Sequence, residues 1–402
     1  MAVIKPFAAL RPKSELAGQI CELPYDVMSS EEARELAKRN ALSFLHVSKP
    51  EIDLPRGTDL YSAAVYEKGK ENFARLIEEG ALIQDQRPCF YLYRQVMGKH
   101  SQVGLVGVAS CEDYLKSIVK KHEYTRPDKE NDRVRHIEAL DAQTGPAFLV
   151  YRAVPEMKAL IQKKTAETPD VDFTAKDGVR HTSWTLHETP EVEKIFGSIR
   201  WLYIADGHHR SAAAARVFQA RKGAGGSGYF LSVIFAHDEI QILPYNRVLA
   251  DLNGLTPKQV LQRVGLSCEM DESGAAQPKG RHELGFYFEG RWRTLRFRQT
   301  LTSAKDPIQR LDVSLLQDHV LEPIFGIDNP RTSQRINFVG GIRGTGELEK
   351  LVNSGEYACA FSMYPTGIDE LMAIADAGGI MPPKSTWFEP KLRDGMFSHL
   401  LV

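Results

Sequence analysis

The sequence pairs none of its cysteines. Cys21, Cys89, Cys111, Cys268 and Cys359 are scattered singly along 402 residues, with no C-x-x-C among them. An odd, dispersed set argues against a disulfide framework and a thiolate zinc site, and predicts reduced thiols in a cytoplasmic protein. No stretch approaches the roughly 20 consecutive apolar residues of a membrane span. Met1 to Leu10 holds Lys5 and Pro6 but no long apolar run, so no secretory leader is expected. An excess of one charge is missing too. The formal net charge is −1, which gives no electrostatic ground for nucleic acid or an anionic membrane as a partner, so any phosphate site must be local. There is no long repeat and no low-complexity tract. The one glycine-rich run, Gly223 to Gly228, is not followed by Lys-Ser or Lys-Thr. It therefore reads as a flexible loop rather than a P-loop.

What is present is ordinary in bulk. Hydrophobic residues make up 43% and charged residues 26%, the balance of a globular chain. The length exceeds one simple core and predicts two or three lobes. We expect an N-terminal α/β lobe over 1–110, a core over 111–250, and a C-terminal α/β lobe over 251–402 whose tail closes on the site. Helical and strand patterns mix throughout, giving a mixed α+β fold. Ser29-Ser30-Glu31-Glu32 is a capping box opening a helix to about Arg39. Ser43 to Val47 reads as a short strand. Leu60, Ala64, Tyr66, Phe73, Leu76 and Ile77 have helical spacing ended by Gly80, and the segments flanking Met97-Gly98-Lys99-His100 alternate as a hairpin.

The most informative stretch is Trp201 to Phe218. An apolar run breaks at Asp206-Gly207, then passes His208, His209, Arg210 and Ser211 into an alanine-rich helix. Strand, tight turn and helix N-terminus together suit an anion such as phosphate, because the first turn of a helix offers unpaired N–H groups and a partial positive charge. Gly207 lets backbone approach the anion, Arg210 can grip phosphate bidentately, and Asp206 can hold Mg²⁺ or take a hydroxyl proton. Taken singly, each residue has a plainer role: a helix cap, a surface ion pair, packed imidazoles. A second polar cluster, Lys121-His122-Glu123-Tyr124-Thr125-Arg126, sits where a strand ends, as site residues do in α/β folds. Pro127, Asp128 and Glu130 fit a helix start. Tyr245-Asn246-Arg247 reads as a loop with a surface arginine or as residues closing the site. Lys384-Ser385-Thr386, in a proline-punctuated tail, reads as a strap or as a cation beside two hydroxyls.

Gly207, Arg210 and Ala213 resemble the glycine, arginine and small-residue signature of the ParB/sulfiredoxin superfamily. The fuller Ala-Asp-Gly-His-His-Arg is similar to the free serine kinases of that superfamily. His122-Glu123 is similar to their Pro-His-Glu, and Pro383-Lys384-Ser385-Thr386 to their Pro-Lys-Thr-Thr, in the same order. The whole chain also resembles a widespread prokaryotic family of about this length that carries all three segments. The resemblance implies a ParB/sulfiredoxin-like phosphate-binding core over 111–250 with large N- and C-terminal additions. It implies that Glu123 is the base for a substrate hydroxyl. Asp206, Gly207, His208, His209, Arg210 and Ser211 would hold the donor's phosphates and Mg²⁺, with Asp206 the metal ligand and His209 catalytic. Substrate contacts would come from His122, Arg126, Asn246, Arg247, Lys384, Ser385 and Thr386. Two features differ from the compact kinases: a longer spacing from Glu123 to Asp206, and Trp387-Phe388 where they carry basic and imidazole groups.

The resulting expectation is a small-molecule kinase acting on a free amino-acid hydroxyl, with L-serine as the acceptor and ATP, ADP or an inorganic phosphate chain as donor. The alternative is a nucleotide-binding regulator or adaptor without turnover. A sulfiredoxin-type repair enzyme fits less well, since its turn needs a cysteine where His208 and His209 stand. Partners are small molecules, with a homodimer left open.

Overall fold

The apolar runs of the first 240 residues come together in one nine-stranded sheet. In the computed structural model, which describes all 402 residues, its strands in chain order are β1 (Ile4–Lys5), β2 (Phe90–Met97), β3 (His100–Ser110), β4 (Val119–Lys120), β5 (Ala147–Tyr151), β6 (Val171–Thr174), β7 (Arg180–Leu186), β8 (Leu202–Asp206) and β9 (Tyr229–Ala236). Their order across the sheet is β4-β8-β5-β9-β3-β2-β7-β6, with β1 paired to β3. Only β4–β8 and β5–β9 run parallel. The fold is mixed α+β. Strands such as β5 are buried along their whole length, as in a sheet covered on both faces, whereas the outer strand β6 alternates between buried and exposed positions.

The chain divides into two compact units, 1–240 with 390–402, and 241–389. The boundary expected after residue 110 falls inside the sheet. There β3 pairs with β9 from Ser110↔Tyr229 to Gly104↔Phe235, so residues on both sides of 110 share one core. The tail also departs from expectation, since residues 390–402 belong to the first unit. Leu10 N–H donates to the Ser398 carbonyl at 2.9 Å and Ser398 N–H returns to Leu10 at 2.8 Å, while His399–Leu400 pair with Ala142–Gln143. The second unit is built on a six-stranded antiparallel sheet in the order Cys268–Asp271, Arg291–Phe297, Glu283–Phe288, Cys359–Ser362, Tyr245–Leu249, Ile336–Gly340.

Local chemistry explains the agreements and the departures. The capping box forms: Ser29 caps the Ser30–Ala37 helix, and the Glu32 carboxylate accepts from Ser29 N–H at 2.8 Å. Gly80, at φ +65°, follows the Ala63–Glu78 helix as its spacing predicts. Ser43 to Val47 is not a strand; Leu45–Ser48 is a helical turn. A short, largely buried five-residue run fits either state, and here Phe44 N–H is taken by the Ile20 carbonyl. β7 was not legible because its buried face is polar: His181, Thr182 and Ser183 are fully buried, with His181 Nδ1 2.7 Å from the Tyr93 hydroxyl. The glycine run is not a loose loop either. Gly225–Gly228 is a 3₁₀ turn packed on the C-terminal backbone, where a Cβ on Gly226 would lie 2.8 Å from the Leu400 carbonyl oxygen.

Candidate functional site

Parallel pairing of β4 with β8, Val119↔Leu202 and Lys120↔Tyr203, sends two chain segments off the same edge of the sheet. One is Lys121 to Arg126, leading into the Pro127–Leu140 helix. The other is Asp206-Gly207, leading into the His208–Arg221 helix. The register of β8 against β5 shifts between Ile204 and Asp206. Such a bulge re-aims the side chain at a strand end, and here that side chain is Asp206. Gly207 turns the chain at φ +92° and caps the helix without a side chain. A Cβ there would sit 3.2 Å from both Ala147 Cα and the Arg210 guanidinium. Gly207→Ala is expected to destabilise the protein by about 1–3 kcal/mol, from left-handed strain plus backbone crowding, read by chemical denaturation. An unchanged midpoint would contradict this account of the turn.

The two segments meet through their histidines. The His122 and His208 rings pack edge to face with centroids 4.5 Å apart, and His122 N–H points at His208 Nε2 at 3.5 Å. Ligand atoms of His122, Glu123 and His208 all lie within 4.8 Å of one another. His122 and His208 are buried and Glu123 is exposed. Burial pushes the His122 imidazole down to about 4, with the Ile204 carbonyl and Asp206 working against it. Burial also holds His208 well below its ordinary value. Both rings are neutral at physiological pH. His209, expected to be catalytic, uses its Nε2 to accept from Arg126 N–H at 3.0 Å, pinning the Lys121–Arg126 segment to the helix. The Arg126 side chain is exposed and paired with Asp128 at 2.8 Å.

Behind the turn lies a charge cluster that the sequence does not reveal. Lys391 Nζ sits 2.9 Å from Asp206 Oδ2, and Gly207 N–H donates to Asp206 Oδ1 at 2.7 Å. Arg210 NH2 is 3.7 Å from Asp206 and 3.6 Å from Asp26. Burial raises the Asp206 carboxyl, but Lys391 and Arg210 outweigh it and hold the group well below the usual carboxylate range. With both oxygens engaged and two cations beside it, Asp206 does not fit a resident Mg²⁺ ligand, contrary to expectation. Arg210 is turned into the protein, donating to the Pro146 carbonyl with its Nε unpartnered. Ser211, expected at the phosphate, is fully buried and donates back to the Gly207 carbonyl at 3.2 Å. Its hydroxyl closes the helix's own first turn.

Arg210, Tyr25, Arg133 and Asp394 line a small cavity of about 30 Å³. Burial pushes the Asp394 carboxyl up to about 7, although Arg210 works against the rise. A raised carboxyl binds its proton in the folded state after the unfolded chain has lost it. Its contribution to stability is therefore full below about pH 4 and is lost as pH rises to 7. Asp394→Asn is expected to flatten that slope, gaining on the wild type by on the order of a few kcal/mol at pH 8 and nothing at pH 4. Denaturation midpoints across that range would show it; parallel curves would contradict it.

The remaining predicted residues belong to the second unit. Asn246 and Arg247 are not in a loop: they lie on the Tyr245–Leu249 strand, both buried. Asn246 Oδ1 accepts from Met363 N–H at 3.0 Å. Arg247 donates to the Tyr245 carbonyl and, at 3.1 Å, to the Lys384 carbonyl. Burial pushes its guanidinium down to about 10. Lys384 is exposed at φ +57°, its Nζ 5.2 Å from the Tyr245 ring centre. Ser385 uses its hydroxyl within its own turn, donating to the Pro382 carbonyl at 2.6 Å, and Thr386 is half-buried. Sequence reading missed Lys391, Asp26 and Asp394. Each lies about 180 residues from the turn in sequence, and nothing in local spacing marks it.

A family model described as a protein of unknown function matches residues 4–314. The chain belongs to the DUF1015 family. A search of curated proteins found no match to this DUF1015 chain. Three solved structures are similar to it at low level. A conserved hypothetical protein from Pyrococcus furiosus shares 15% identity, over 74% of this chain and 96% of that one, with a TM-score of 0.37. SbnI from Staphylococcus aureus, C-terminally truncated, shares 11% over 72% and 85%, with a TM-score of 0.41. A variant free serine kinase in complex with AMP shares 13% over 75% and 88%, with a TM-score of 0.36. No helix of this DUF1015 protein is long and apolar enough to cross a membrane.

Proposed function

We propose that this is a small-molecule kinase that phosphorylates a free amino-acid hydroxyl, with L-serine as acceptor. One observation carries the reading. The Glu123 carboxylate, 85 residues upstream in sequence, lies within 4.8 Å of the imidazole of His208, the first residue of the helix that the Asp206-Gly207 turn opens. A carboxylate that can serve as base therefore stands beside a helix N-terminus with no side-chain cap, and phosphoryl transfer to an alcohol can use both. Support also comes from the ordered resemblance of the His122-Glu123, Asp206–Arg210 and Lys384–Thr386 segments to free serine kinases. In this scheme N–H groups of the first helical turn bind the transferred phosphate. Glu123 takes the hydroxyl proton, and Lys391 with Arg210 keeps Asp206 ionised. Mg²⁺ enters with the donor, as its nucleotide or polyphosphate complex.

The test incubates purified protein with serine, Mg²⁺ and ATP, ADP or pyrophosphate in turn, and measures O-phosphoserine. Product with one donor, lost in Asp206→Asn, supports the reading; no product with any donor rejects it. A nucleotide-binding regulator is favoured by one feature, the inward turn of Arg210 onto Pro146 and the carboxylates. Tight nucleotide binding by calorimetry without turnover of any hydroxyl acceptor would select it.

A further inference from the structure

We propose that His122, Glu123 and His208 form a binding site for a divalent first-row transition ion of the zinc type. The three side chains offer two imidazole nitrogens and one carboxylate, all within 4.8 Å of one another. A bound ion at about 2.0–2.2 Å from each would ask for ligand separations of about 3.0–3.5 Å, so the widest pair needs a contraction of up to about 1.3–1.8 Å from 4.8 Å. Glu123, exposed on the segment before the Pro127–Leu140 helix, is the ligand placed to supply it.

An independent observation points to a ligand. His122 Nδ1 is buried and has no hydrogen-bond partner. With Nε2 carrying the ring proton, Nδ1 presents its lone pair and no protein group meets it. Edge-to-face packing against His208 accounts for the burial of the ring but not for an orphaned acceptor, which costs about 1–3 kcal/mol when left unmet. Two imidazoles select zinc, cobalt or nickel over Mg²⁺, which prefers oxygen and keeps its waters. Three protein ligands with one on the surface leave open positions toward solvent, the pattern of an exchangeable or reactive ion rather than a closed structural one. The ion and the substrate hydroxyl proton compete for the Glu123 carboxylate, so where the kinase reading holds, zinc inhibits. The binding itself does not depend on that reading.

The test uses the full chain, stripped with a chelator and titrated with Co²⁺, whose visible absorption reports nitrogen and oxygen ligands directly. We expect saturation at one Co²⁺ per chain, displacement by Zn²⁺, and affinity lowered more than about 100-fold in His122→Gln and about 10–100-fold in Glu123→Gln. Circular dichroism checks the fold of the buried variant. Glu123→Gln, at an exposed position, keeps the test decisive if His122→Gln unfolds. A spectrum of aqueous Co²⁺ alone, or binding equally tight in wild type and Glu123→Gln, would overturn the proposal.

Discussion

Glu123→Gln is expected to lower the rate of serine phosphorylation about 10²–10⁴-fold, the range for loss of a positioned general base. The amide keeps the shape of the side chain and cannot accept the proton. Glu123 is exposed, so stability should change by no more than about 0.5 kcal/mol. Nucleotide affinity should hold, because the groups at the helix N-terminus are untouched. The loss therefore appears in kcat and not in the calorimetric Kd for the donor. A variant with wild-type kcat would remove Glu123 from the chemistry. A variant that loses nucleotide binding in parallel would make it a binding residue instead.

Arg210→Met should cost more stability than any other single change at the site, about 3–5 kcal/mol, the range for stripping one partner from a buried charge cluster. Asp26, Asp206 and Asp394 all lower their energy against this guanidinium. The side chain is only 10% exposed, so water does not replace it. Methionine fills much of the volume, which confines the loss to charge and to the bond to the Pro146 carbonyl. The melting temperature should fall by on the order of 10 °C. The deficit should shrink on acidification from pH 8 to 5, as Asp394 takes up a proton and no longer needs a counter-charge. A deficit independent of pH would mean that Arg210 acts through packing alone.

The proposed zinc site and the proposed phosphoryl transfer converge on one carboxylate, Glu123. The pairing of His122 with Glu123 in sequence was the clue to phosphoryl transfer. The parallel strands beneath them supply the zinc site, by bringing His208 alongside.

The sequence by itself determined the mixed α+β class, most helices, the Phe90–Ser110 hairpin and the strand, turn and helix around Gly207. Each of these is written in local signals: a capping box, a 3.6-residue period, an alternation, a glycine where the backbone must turn left-handed. It also marked His122-Glu123 as a strand-end pair. Only the tertiary structure decided that this pair faces the turn, because parallel pairing of β4 with β8 is a contact across 83 residues with no trace in spacing. The same holds for Lys391 on Asp206, for Asp26 and Asp394 around Arg210, and for the single sheet that erases the boundary expected at residue 110. Ser211 and Ser385 mark the opposite limit: a hydroxyl that looks available in sequence is claimed by the nearest backbone carbonyl once the chain is folded. Local propensity is carried by neighbouring residues. Charge pairing and burial depend on which distant segments the hydrophobic core brings together, and those are set by packing, not by order along the chain.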